Sequence, residues 1–160
     1  MNAKKILRAL LTSLLLFAAV FNLSIGQAVA SGDFICPSSD GELIAEGCFA
    51  VPAVDEDGVT YENSTFATVT YDFSAAGLWQ AAPSYPEVGP NGNGNTSPYA
   101  KYPDLSLFSL VVDCSNQAPE VLGQCKTITL ESGESCKFIK NDGKFDDNLG
   151  AMVVSYGTHE

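Results

Sequence analysis

In residues 67–73, ATVTYDF, an apolar side chain stands at every second position: Ala67, Val69, Tyr71 and Phe73. Such a run can bury one face only as an extended strand, because successive side chains of a strand point to opposite faces. LFSLVVD (107–113), KTITL (126–130), CKFIK (136–140) and AMVVSY (151–156) are further short runs rich in Val, Thr, Phe, Tyr and Ile. CFAVP (48–52) and GVTY (58–61) are weaker examples. Turn residues separate them and no helical periodicity lies between them. The expectation is an all-β domain: an antiparallel β-sandwich or a barrel.

The first thirty residues stand apart from this pattern. Lys4, Lys5 and Arg8 precede the apolar stretch ALLTSLLLFAAVF, and AVA closes the segment at Ala28–Ala30. Basic start, apolar run and small-residue end are the marks of a secretory signal peptide, so a secreted or periplasmic location is expected. Asn22, Ser24 and Gly26 break the run, which is too short for a transmembrane anchor. The remaining 130 residues, 31–160, suffice for a single domain. They hold five basic residues against nineteen acidic ones, a net charge of about −14. A field of that sign repels nucleic acid and anionic lipid and favours cations or neutral ligands.

All five cysteines fall in the exported part, where disulfides are the default state. Their connectivity is open from sequence; the local pairs Cys36–Cys48 and Cys114–Cys125 are the favoured ones, each closing a loop of about a dozen residues. Cys136, two residues before Phe138 and on the same strand face, is then the free thiol.

Two stretches interrupt the strand pattern. Residues 81–104 carry five prolines among several glycines, the composition of a long exposed loop. The turn NDGKFDDN is the other. Asn141, Asp142, Asp146, Asp147 and Asn148 set five oxygen-bearing side chains within eight residues, beside Gly143 and Gly150. Calcium takes six to eight such oxygens. The spacing is not that of an EF-hand, and an acidic hairpin turn can equally be a solvated one.

The stretch FIKNDGKFDDNLGAMVV resembles the calcium turn of the bacterial galactophilic lectin family (PA-I type). VTYDFSAAGLWQAAP (69–83) is similar to that family's Ser-Ala-x-Gly-x-Trp strand, GPNGNGN (89–95) to its Gly-Pro-x-Gly loop, and LFSLVV (107–112) to its next core strand. The pieces fall in the family's order and span about residues 66–156. The resemblance implies a calcium ion held by Asp142, Asp147 and Asn148, by the backbone carbonyl of Lys144 and by that of Ala82 from the facing loop. It implies that two vicinal sugar hydroxyls complete the ion's shell, with Asp142 and Asn148 bonded to the same hydroxyls. Oligomers are also implied. The sequence departs from the family in two places. The turn from Asp142 to Phe145 is two residues shorter. A His-Pro-Asp-Gln sugar contact is replaced by Tyr102-Pro103-Asp104-Leu105, so a galactose preference does not carry over. Tyr102 and Asp104 remain sugar-contact candidates, with Tyr99 able to stack on a sugar face.

No enzyme is expected. The one histidine, His159, sits next to the C-terminus, and the chain holds no G-x-S-x-G elbow. Carboxylate pairs keep a small glycosidase formally open. The main alternative to a lectin is a structural or adhesive sandwich in which calcium, if bound, only rigidifies the turn. Trp79 is expected in the core. The Asn-x-Ser/Thr triplets at 63–65 and 95–97 match the glycosylation pattern, which is short enough to occur by chance.

Overall fold

A computed structural model describes residues 47–158; the segment 1–30, Cys36 and His159 lie outside the described residues. Eight strands follow in order: β1 Gly47–Pro52, β2 Val59–Glu62, β3 Val69–Gln80, β4 Leu110–Cys114, β5 Glu120–Val121, β6 Cys125–Leu130, β7 Ser135–Lys140 and β8 Leu149–Thr158. There is no helix among the described residues. Two four-stranded sheets form, ordered β1-β8-β3-β6 and β2-β7-β4-β5, with every pairing antiparallel. The all-β sandwich expected from the alternation is the fold observed.

The alternation seen in 67–73 carries on along β3, whose Tyr71, Phe73, Ala75 and Trp79 all point into the core. Ala67, by contrast, is exposed and precedes the strand. β3 runs on to Gln80 because it pairs on both sides, with β6 from Val69 to Ser74 and with β8 from Tyr71 to Gln80. The neighbouring strands β6 and β8 add Leu130 and Met152 and the facing sheet adds Leu110, Val112 and Phe138, each essentially without solvent contact. Burial of one such side chain is worth about 1.5–3 kcal/mol.

The expected strand at 107 begins only at Leu110. Phe108 has φ 62°, a left-handed conformation that takes it out of the extended region. Its carbonyl accepts the Trp79 indole N–H at 2.7 Å, which ties the end of β3 to the start of β4. The segment 115–124 contains a short strand that periodicity did not announce, β5, paired through Val111 and Val121. Asn63 is fully buried, and its amide donates to the carbonyls of Ala67, Leu130 and Glu131, so it is a structural staple rather than an exposed glycosylation acceptor.

The cysteine pairing differs from the local scheme. Cys114 is bonded to Cys136, Cys125 is engaged in a disulfide of its own, and Cys48 is an exposed free thiol. The reason is register: Cys114 on β4 and Cys136 on β7 are direct cross-strand partners, which brings them together although 22 residues separate them. Cys136 is therefore not the spare thiol, and neither Cys114–Cys125 nor Cys36–Cys48 forms.

Candidate functional site

Three connections meet at one end of the sandwich. They are the β1–β2 loop around Asp55–Asp57, the part of the β3–β4 connection around Tyr99–Lys101, and the acidic turn between β7 and β8. Together Glu56, Asp57, Tyr99, Lys101, Asp142, Gly143 and Phe145 line an open cleft of about 330 Å³. Asp55 shapes its rim by accepting the backbone N–H groups of Asp57 and Gly58 at 3.0 and 3.1 Å. Lys101 bridges the first two segments, its Nζ donating to the Glu56 carbonyl at 2.6 Å.

The long connection is held in place by Asn141. This fully buried residue accepts the Tyr102 N–H and donates to the carbonyls of Tyr102, Leu105 and Ser106 at 3.0–3.2 Å. Its backbone pairs with Ser109 and with the N–H of Phe108, and the Lys101 N–H bonds the Asp142 carbonyl. A proline-rich segment that cannot build its own ladder thus borrows hydrogen bonds from the end of β7. Asn141, one of the five oxygen-bearing residues counted in the turn, faces this loop and not a cation.

Behind the cleft lies a group that sequence reasoning missed. Lys140, the last residue of β7, is fully buried. Period-two alternation puts Cys136, Phe138 and Lys140 on one face, so extending the pattern by two residues would have placed an ammonium in the core. Its Nζ donates to Asn148 Oδ1 at 2.6 Å and to the Gln80 carbonyl at 3.1 Å, and it stands 3.1 Å from Asp142 Oδ2. The rings of Phe108 and Trp79 lie 5.1 and 5.7 Å away, within cation–π range. Burial pulls the Lys140 pKa below the usual lysine value, opposed in part by Asp142 and Asp147.

The other residues of the turn are committed in part. Asp142 Oδ1 accepts the Gly143 and Lys144 N–H groups and so closes the turn. Asn148 is buried, and its amide donates to the carbonyls of Ala53 and Lys144 at 3.0 and 3.1 Å. Asp147 Oδ2 accepts from the exposed Lys144 ammonium at 2.9 Å, which holds the Asp147 carboxyl below the ordinary carboxylate range. Asp147 Oδ1 is shielded from solvent without a hydrogen-bond partner. The Ala82 carbonyl accepts the Tyr85 N–H at 2.9 Å in a turn of its own.

This arrangement does not fit the calcium seat that the resemblance implies. Asp142, Lys144, Asp147 and Asn148 do converge. Yet the Asn148 oxygen and one Asp142 oxygen surround an ammonium, the Lys144 carbonyl serves Asn148, and the Ala82 carbonyl serves Tyr85. Among the described residues no cluster of three or more Asp, Glu, His or Cys is arrayed to hold a metal ion. Of the sugar-contact candidates Asp142 lines the cleft, together with the stacking candidate Tyr99. Asn148 is sealed behind it. Tyr102 and Asp104 line a separate depression with Leu105 and Pro119. The Tyr102 hydroxyl donates to Asp113 Oδ2 at 2.8 Å; burial, then this bond, pushes its pKa well above the usual tyrosine value. Tyr99, in contrast, is 87% exposed beside the cleft.

No protein-family model and no curated protein matches the sequence. The fold is similar to a solved structure described as the EclA N-terminal domain, a PllA-like lectin, with a TM-score of 0.51 and 18% identity over 73% of this chain and 98% of that one. At this identity the likeness is one of fold alone, the antiparallel β-sandwich.

Proposed function

We propose that this is an exported, non-enzymatic carbohydrate-binding protein whose ligand site is the cleft between Tyr99, Asp57 and Asp142. The observation that carries the reading is the pairing of a solvent-facing aromatic ring with carboxylates in an open cleft. A sugar presents an apolar C–H face and a rim of hydroxyls. The ring of Tyr99 covers the first, while Glu56, Asp57 and Asp142 accept from the second. Lys101 supplies a donor on the same wall. A neutral polyol also enters a strongly acidic field without electrostatic cost, unlike an anionic ligand. The lectin-type fold supports the class of ligand. The basic, apolar and Ala-x-Ala features of residues 1–30 and the Cys114–Cys136 disulfide support export to an oxidising compartment.

The test is a glycan array probed with wild-type protein and with Tyr99→Ala. That substitution removes an exposed ring and leaves the melting temperature unchanged. The expectation is retention of wild type on a defined set of glycans and a loss of roughly tenfold or more in the variant, the scale of a lost aromatic contact. An array on which wild type binds nothing, or on which the variant matches it, sinks the reading. Hydrolysis of an arrayed glycan would move the site to the glycosidase class.

A further inference from the structure

We propose that the Lys140 ammonium is a built-in cation that takes the place of a divalent ion in the acidic turn, so that the cleft binds its ligand without metal. The inference rests on the carbohydrate reading for the ligand, but not for the role of the lysine.

Three features of the geometry point to it. The ammonium carries three N–H donors, and three oxygens surround it: Asp142 Oδ2, Asn148 Oδ1 and the Gln80 carbonyl. These come from both ends of the acidic turn and from the end of β3, so the charge ties the turn to the β3–β8 edge beside it. Second, the ammonium is fully buried on a rigid strand and backed by the Trp79 and Phe108 rings. A buried charge persists only where it is paired and hydrogen-bonded, and this one is. Third, a calcium ion needs six to eight oxygens close around it. Here Asn148 Oδ1 and the Gln80, Lys144 and Ala82 carbonyls already serve N–H donors, which leaves Asp142 Oδ2 and Asp147 Oδ1 as the buried oxygens of the turn without a hydrogen bond. A dication placed among Asp142, Asp147 and Asn148 would also sit against a like charge. The consequence for the cleft is positional: Lys140 holds Asp142, which lines the wall that meets the ligand.

The experiment compares the purified protein after EDTA treatment with the same sample in millimolar calcium, reading thermal melts and glycan binding. The expected result for wild type is coincident melts and unchanged glycan retention. The variant Lys140→Met, which keeps length and apolar stem but removes the charge, leaves Asp142 without its cationic partner. It is expected to melt lower in EDTA and to gain several degrees on adding calcium, the shift of a ligand that binds only the folded state. A passive core lysine would not produce that gain. A wild-type melt raised several degrees by calcium, glycan binding abolished by EDTA, or a folded Lys140→Met protein indifferent to calcium would each overturn the proposal. Should Lys140→Met fail to fold, the wild-type comparison still decides. An array on which wild type binds nothing in either buffer refutes the carbohydrate reading alone, since the calcium melts judge the lysine by themselves.

Discussion

The backbone carbonyl of Tyr99 occupies the space that a side chain on Gly143 would need, so the long β3–β4 connection and the acidic turn touch backbone to backbone. Gly143 is thus required for close approach and not for a left-handed φ, unlike Gly150 in the same hairpin, which has φ 90°. The substitution Gly143→Ala must push Tyr99 off the turn. It is expected to cost about 1–3 kcal/mol, as overpacking does, and to weaken glycan binding in parallel. Chemical denaturation and array retention measured on one preparation check both effects.

Asn141→Ala removes four hydrogen bonds between the end of β7 and residues 102–106 and leaves three partly buried carbonyls without their donor. The expected loss is about 2–4 kcal/mol. Hydrogen exchange locates it: amides from 99 to 108 lose protection, while the β3–β6 ladder from Val69 to Ser74 keeps its own.

Tyr102 and Asp113 give a pH signature. The hydroxyl is partly buried and is bonded to a carboxylate, so its folded pKa lies above the unfolded value of about 10. A raised folded pKa means that the bond's contribution is complete below pH 10 and is lost as pH rises above it, because the unfolded tyrosine releases its proton first. Tyr102→Phe is expected to lose about 1 kcal/mol at pH 7, a discounted figure for a partly exposed bond, and to lack that component of the alkaline decline. Urea midpoints of both proteins at pH 8 and pH 10.5 check the sign.

The disulfide scheme predicts which thiol reacts. Among the described cysteines, an alkylating reagent applied to folded, oxidised protein is expected to label Cys48 alone, with peptide mapping showing Cys114 linked to Cys136. Loss of that bond through Cys114→Ala together with Cys136→Ala is expected to cost about 3 kcal/mol in the chain-entropy model. A mapped Cys114–Cys125 peptide would contradict the pairing.

The strands were readable because each is a local pattern: Tyr71 and Phe73 in β3, Val111 and Val112 in β4, or Met152 and Val154 in β8 alternate or cluster with no help from distant residues. β5 was not, since two residues of weak pattern become a strand only through pairing with Val111 and Val112. The site was half legible. Crowding of Asp142, Asp147 and Asn148 pointed to the turn that lines the proposed cleft, and Tyr99 is legible as a ring able to stack. Which oxygen meets which partner was not legible, because Lys140, Gln80 and Ala53 reach that turn from other strands and loops.

By itself the sequence determined an acidic, cysteine-bearing all-β chain with an oxygen-rich hairpin near its end, because alternation, charge and composition are properties of neighbouring residues. Tertiary structure alone decided that Cys114 meets Cys136, that Asn141 turns to the loop, and that an ammonium stands among the turn's oxygens. Those outcomes depend on strand register and on which face a strand end presents, and both are fixed only when the two sheets pack.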